Sequence, residues 1–262
     1  MKIKEVAVTL ERFAPLPLQE SYDNAGLQIG LTEAEDVSGV LLCLDVTEEV
    51  ILEAEQLGCN LIVAHHPLLF RPLRHITQDT QVERCAVMAI QKNIAIYAAH
   101  TNLDNALRGV NFMIAEKLGL QEVQFLLPSS NGQGGSGIIG TLPHAMKQTE
   151  FIHLLKQTFQ VESLLHNDFL RNNGMIQRVA LCGGAGDFLL NTAIHQGADA
   201  FLTGEMGYHF YFGHETDLFI GVMGHYQSEQ FTIQLLHRIL HEAHPELRLV
   251  ETSIKTNPIR IN

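Results

Sequence analysis

Apolar runs of four to six residues alternate with longer stretches of helical periodicity along most of the chain. The runs are Val40-Leu-Leu-Cys-Leu-Asp45, Leu61-Ile-Val-Ala64, Ile94-Ala-Ile-Tyr-Ala-Ala99, Val179-Ala-Leu-Cys182, Ala200-Phe-Leu-Thr203 and Leu218-Phe-Ile-Gly-Val-Met223. Their length and lack of alternation predict strands covered on both faces. The segments between them predict helices over 2–13, 48–57, 80–91, 106–118, 149–158, 187–196 and 228–243, with Gly58 and Gly119 as stop signals. Ser21-Tyr-Asp-Asn-Ala-Gly-Leu-Gln-Ile-Gly30 reads as a turn and short strand, and a further strand is expected near 138–140. Ser129-Ser-Asn-Gly-Gln-Gly-Gly-Ser-Gly137 reads as a mobile surface loop, with a binding lid as the alternative. Strands alternating with helices predict an α/β fold with mostly parallel short-strand sheets. In such sheets ligands bind beyond the carboxyl ends of the strands.

The pattern occurs twice. Glu55-Gln-Leu-Gly58 through His65-His66 aligns with Ile194-His-Gln-Gly197 through Gly204-Glu205. His100-Thr-Asn-Leu-Asp104 aligns with His225-Tyr-Gln-Ser-Glu229; each follows an apolar run and leads into a helical segment. This order of aligned segments predicts two similar α/β halves related by internal duplication, 1–125 and 126–262.

The candidate chemistry lies at the predicted strand ends. His65-His66-Pro67 closes the run 61–64. Adjacent residues on an extended strand point to opposite faces, so the pair converges only if the turn at Pro67 rotates it; otherwise the two serve separate ions. Histidine and carboxylate are the nitrogen and oxygen ligands of Zn, Mn, Fe, Co and Ni. His65, His66, Asp104, His225 and Glu229 supply three imidazoles and two carboxylates, too many for one tetrahedral zinc and suited to two ions sharing a carboxylate. Glu229 alone also reads as a charge in the first turn of a helix that Ser228 caps.

The remaining candidates are weaker. His100 reads as a ligand orienter, a general base or a capping histidine. Glu205 and His209 read as acid/base groups or as a structural pair. Gly183-Gly-Ala-Gly-Asp187 reads as a tight turn in preference to a phosphate cradle, since it matches neither phosphate-binding fingerprint. Asp45 reads as an N-cap or an acceptor behind a ligand.

Charge and composition narrow the classes. Lys plus Arg number 17 and Asp plus Glu 29, a formal charge of −12, which argues against general nucleic-acid binding. The four cysteines lack CxxC spacing and read as reduced core thiols. Met1–Glu11 has no uninterrupted apolar stretch of the signal-peptide kind, and no run approaches the ~20 apolar residues of a membrane span, so a cytoplasmic protein is expected.

Ser21–Gly30, Ala64-His-His-Pro67, His100-Thr-Asn-Leu-Asp104, Thr203-Gly-Glu205 and Gly224-His-Tyr-Gln-Ser-Glu229 together resemble the GTP cyclohydrolase 1 type 2 homologue family, also called the Nif-three-like family. The resemblance covers essentially the whole chain. It implies two α/β halves with a dinuclear metal centre at the cleft between them, the compact form without an inserted domain, and a ring-like homohexamer. It makes His65, His66, Asp104, His225 and Glu229 the ligands, with Glu229 bridging. It also implies GTP as substrate, metal-activated water opening the guanine imidazole ring with release of formate, and proton transfer by His100 or Glu205. The alternatives are a metal-dependent phosphoesterase or amidohydrolase, and a metal-binding regulatory ring without turnover.

Overall fold

The computed structural model describes residues 1–30, 35–130 and 132–260; Asn131 of the Gly/Ser-rich segment lies outside them. The strands are β1 (Gly26–Ile29), β2 (Val40–Cys43), β3 (Leu61–Ala64), β4 (Ala95–Ala98), β5 (Gln121–Pro128), β6 (Gly135–Lys147), β7 (Leu165–His166), β8 (Met175–Cys182), β9 (Ala200–Thr203), β10 (Phe219–Val222) and β11 (Leu249–Glu251). The fold is mixed α/β with two sheets, and the chain divides into two units.

The first unit is Met1–Leu103 with Thr232–Asn262. Its sheet has the order β1-β4-β3-β2-β11. The pairings among β4, β3, β2 and β11 are parallel, and β1 joins β4 antiparallel. Every residue of β2, β3 and β4 is buried, as their unbroken apolar runs require. Leu41, Ile62 and Ile96 pack on one face against Val50, Ile51 and Ala54 of helix Glu48–Gln56 and Cys85, Ala86 and Ala89 of helix Gln81–Gln91. A nine-residue helix is marginal alone, so this burial and the Thr47 cap, whose hydroxyl accepts from Val50 N, hold Glu48–Gln56 in place. Gly58, at φ +66°, stops it as the sequence predicts.

The second unit is Asp104–Phe231, and its sheet has the order β5-β6-β8-β9-β10-β7. The central strands β8, β9 and β10 are parallel; β5, β6 and β7 add antiparallel pairings. Ile139, Ala180, Phe201 and Ile220 form a core with Leu189, Leu190 and Ala193, while Phe219 meets Phe151 edge-on at 5.8 Å.

Several expectations need correction. The unit boundaries fall at 103/104 and 231/232, not at 125/126. The reason is that β11 pairs with β2 and helix Thr232–Ala243 packs on helix Ile3–Phe13, returning the chain's last segment to the first unit. Residues 121–147 form a long hairpin, so Gly135 to Gly137 of the expected loop belong to the 13-residue β6. The expected helix 106–118 begins only at Val110, because Arg108 has φ +63° and Gly109 is the N-cap. The expected helix 228–243 is two helices, His225–Glu229 and Thr232–Ala243.

Candidate functional site

In the first unit, β2, β3 and β4 run parallel, so Asp45, His65-His66 and His100 all emerge just past their carboxyl ends. Strand pairing continues into the histidine pair: His65 N donates to Cys43 O at 3.2 Å and His66 N to Leu44 O at 2.9 Å. The pair does converge. The rings of His65 and His66 lie 4.8 Å apart, and that of His100 lies 5.4 and 5.5 Å from them.

Each ring is held by the same atom. His65 Nδ1 meets the Ala99 carbonyl at 2.7 Å, His66 Nδ1 meets Asp45 Oδ1 at 2.7 Å and His100 Nδ1 meets Asp23 Oδ1 at 2.7 Å. An oxygen acceptor on Nδ1 fixes the proton there and makes Nε2 the lone-pair nitrogen of the neutral ring. This is the arrangement of histidines that bind metal through Nε2. Thr256 Oγ1 donates to the other Asp45 oxygen at 2.5 Å. Burial raises the pKa of Asp45, but the His66 bond and charge outweigh it and lower the carboxyl below its ordinary value.

Asp23 has no assigned role in the sequence reading, yet it accepts several hydrogen bonds at the site. Besides His100 it accepts from Thr101 N at 3.1 Å and from the Thr101 hydroxyl. Burial pushes its pKa up; the His100 and Thr101 bonds overcome this and bring it to about 2. Topology explains the meeting. β1 is antiparallel to β4 with Gly26 opposite Ala98, so a residue three before Gly26 reaches one two beyond Ala98. The sequence signal was only an acid in a turn, with nothing local to mark a partner 77 residues away.

In the second unit, β8, β9 and β10 end at Cys182, Thr203 and Val222, and the polar groups again follow. Gly224, at φ +98°, turns the chain from β10 directly into helix His225–Glu229. That start corrects the expected cap: Ser228 lies within the helix, donating to His225 O at 2.8 Å and accepting from Gly184 N at 3.0 Å. Glu229 therefore ends a short helix, and first-turn electrostatics do not account for it. It is only 4% exposed.

His225 Nδ1 meets Glu205 Oε1 at 2.9 Å, and its Nε2 lies 3.1 Å from Glu229 Oε2. Two ligands of a tetrahedral ion with bonds near 2.0–2.1 Å are about 3.3 Å apart, so this spacing fits a shared ion. Gly183-Gly-Ala-Gly186 bends the chain beneath Glu229. A Cβ on Gly184 would lie 2.4 Å from Glu229 Oε1 and 3.3 Å from His225 Nε2. The N–H groups of Gly183, Gly184 and Gly186 are bonded to Asn111, Ser228 and Thr203, which removes the phosphate-cradle reading. His209 is exposed among Tyr208 and Phe212 and, among the described residues, makes no hydrogen bond to Glu205. Asp104 ends the short helix Thr101–Asp104, its backbone carbonyl accepting from Asn111 Nδ2 at 3.1 Å.

The four cysteines are free thiols; burial raises the pKa of Cys43 and Cys59 and brings Cys85 to about 11. Among the described residues no helix is long and apolar enough to cross a membrane.

A two-sheet α/β fold with histidines and acids at its parallel strand ends defines a class of metal-type sites on an α/β scaffold. The chain belongs to the Duf34/NIF3 (NGG1p interacting factor 3) family, whose model matches residues 1–258. It is 37% identical to the GTP cyclohydrolase 1 type 2 homolog of Clostridium perfringens over 231 residues, 87% of each chain. It is 30% identical to NIF3-like protein 1 of Drosophila melanogaster over 211 residues, 79% of this chain and 70% of the relative. Among solved structures, a Bacillus cereus protein related to NIF3 matches with a TM-score of 0.87 at 26% identity, covering 100% of this chain and 99% of that one.

Proposed function

We propose that the protein is a metal-dependent hydrolase that opens the imidazole ring of GTP with release of formate. The observation that carries the metal part is the shared geometry of His65, His66 and His225, each with Nδ1 on an oxygen, which makes Nε2 the lone-pair nitrogen of the neutral ring. The relatives' names support the nucleotide part. In this reading His65, His66, Asp104, His225 and Glu229 would hold two divalent ions, of Zn, Mn, Fe, Co or Ni. Bound ions would activate water and withdraw charge from a developing oxyanion.

The chain's own residues do the rest. His100, locked by ionised Asp23, would accept a proton from water through Nε2 and return it to the departing nitrogen, first as one C8–N bond breaks to leave a formamide and again as a second water breaks the other and frees formate. Glu205 holds the His225 ring by Nδ1 and, with His100, is the other group proposed to move protons. The resemblance also brings assembly into a homohexameric ring and a cytoplasmic setting, and both belong to this proposal.

The test is formate release from GTP by the metal-loaded protein and by Glu229→Ala, with thermal unfolding as the check of folding. Formate release abolished in a folded variant supports the reading. No formate from the wild type, at full metal loading, rejects GTP ring opening.

A further inference from the structure

Beside the three histidines of the first unit stands a group of exposed aromatic and cationic side chains that the chemistry above does not use. Phe70 lies 6.0 Å from the His100 ring, nearly perpendicular to it, and 6.4 Å from the Tyr22 ring. The Arg71 guanidinium stands 5.7 Å over Phe70. Tyr22 is 64% exposed, so a large aromatic side chain meets solvent beside Phe70. Arg71 and Arg74 are exposed and, among the described residues, form no ion pair, in a chain of net charge −12.

The placement is built, not incidental. Asn24 Nδ2 donates to Leu69 O at 2.7 Å, and Leu69 N donates to Gln28 Oε1 at 3.0 Å. Gln28 Nε2 in turn donates to Asn24 O at 2.6 Å. Two side chains of the 21–30 segment thus grip both backbone groups of the residue before Phe70. The same segment gives Asp23 to His100. One ten-residue stretch therefore fixes Tyr22, Phe70 and His100 relative to each other.

We propose that Tyr22 and Phe70 bind the purine of a nucleotide substrate and that Arg71 and Arg74 bind its phosphates. The inference rests on the hydrolase reading for the reaction, and adds the substrate contacts. An aromatic face accepts a base by stacking, and a guanidinium 5.7 Å from the Phe70 ring brings beside it the N–H fork that suits phosphate oxygens. This pairing selects a nucleoside polyphosphate over a free nucleoside.

The experiment compares equilibrium binding of GTP and guanosine to the metal-loaded wild type, the double variant Arg71→Ala/Arg74→Ala, and Tyr22→Ala. The double variant is expected to bind GTP about tenfold more weakly and guanosine unchanged, while Tyr22→Ala weakens both by a similar factor. GTP affinity unaltered by the double variant, or no GTP binding by the wild type, overturns the proposal. GTP held through the arginines without formate release upholds the binding site and removes the ring-opening reaction. Formate release with an unchanged KM in the double variant does the reverse.

Discussion

His100 Nδ1 donates to Asp23 Oδ1 at 2.7 Å, joining the turn before β1 to the end of β4. Asp23→Ala removes the acceptor of His100 and of both Thr101 donors, with no exposed surface on the Asp23 side chain for water to substitute. The expected loss is about 2 kcal/mol of stability. Asp23→Asn keeps the shape and loses the charge. It should reduce turnover by about 10–100-fold while leaving metal content intact, because His100 is not among the proposed ligands. Denaturant unfolding, metal content and formate release separate these effects.

The same pair predicts a pH dependence. Asp23 titrates at about 2 in the folded protein against an ordinary 3.8. A lowered carboxyl stabilises the fold above its unfolded value and ceases to do so as pH falls through the folded one. The difference in urea midpoint between wild type and Asp23→Asn should therefore be full above about pH 4 and should shrink between roughly pH 4 and pH 2. A difference constant over that range contradicts the ionised pair.

Gly184 sits at φ +61°, and a Cβ there would lie 2.4 Å from Glu229 Oε1. Gly184→Ala should displace Glu229 and cost about 1–3 kcal/mol through strain. Gly197→Ala is the control, since its φ is also positive, at +72°, but an added Cβ there meets nothing within 4 Å. Both variants should lower the melting temperature, and only Gly184→Ala should weaken metal binding.

Asp45 and Glu205 hold His66 and His225 by Nδ1. Asp45→Ala and Glu205→Ala should each weaken metal binding by about 10–100-fold, measured by chelator competition, through loss of ring orientation. Unchanged affinity in both contradicts the ligand roles of the two histidines.

The strands β3 and β9 were legible residue for residue, since a four-residue apolar run between polar or Gly-rich neighbours has no other use in a buried sheet. Of the hairpin β5-β6, only the stretch 138–140 was. β5 has one fully buried residue, and β6 opens on Gly-Ser-Gly, so neither presents an apolar run at its start. At the site, His65-His66 and His225 with Glu229 were visible because ligand types cluster within five residues. Asp23 escaped because its partner is 77 residues distant and only β1–β4 pairing joins them. Gly183-Gly-Ala-Gly186 is legible as a sharp change of chain direction, but its closeness to Glu229 depends on two strands and a helix at once.

Elemental analysis of protein purified without chelators tests the proposed metal centre most directly, comparing wild type with His66→Ala and Glu229→Ala. The predicted result is roughly two ions per wild-type chain and a marked loss in both folded variants. Less than one ion per wild-type chain under every loading condition, or full content in both variants, contradicts it.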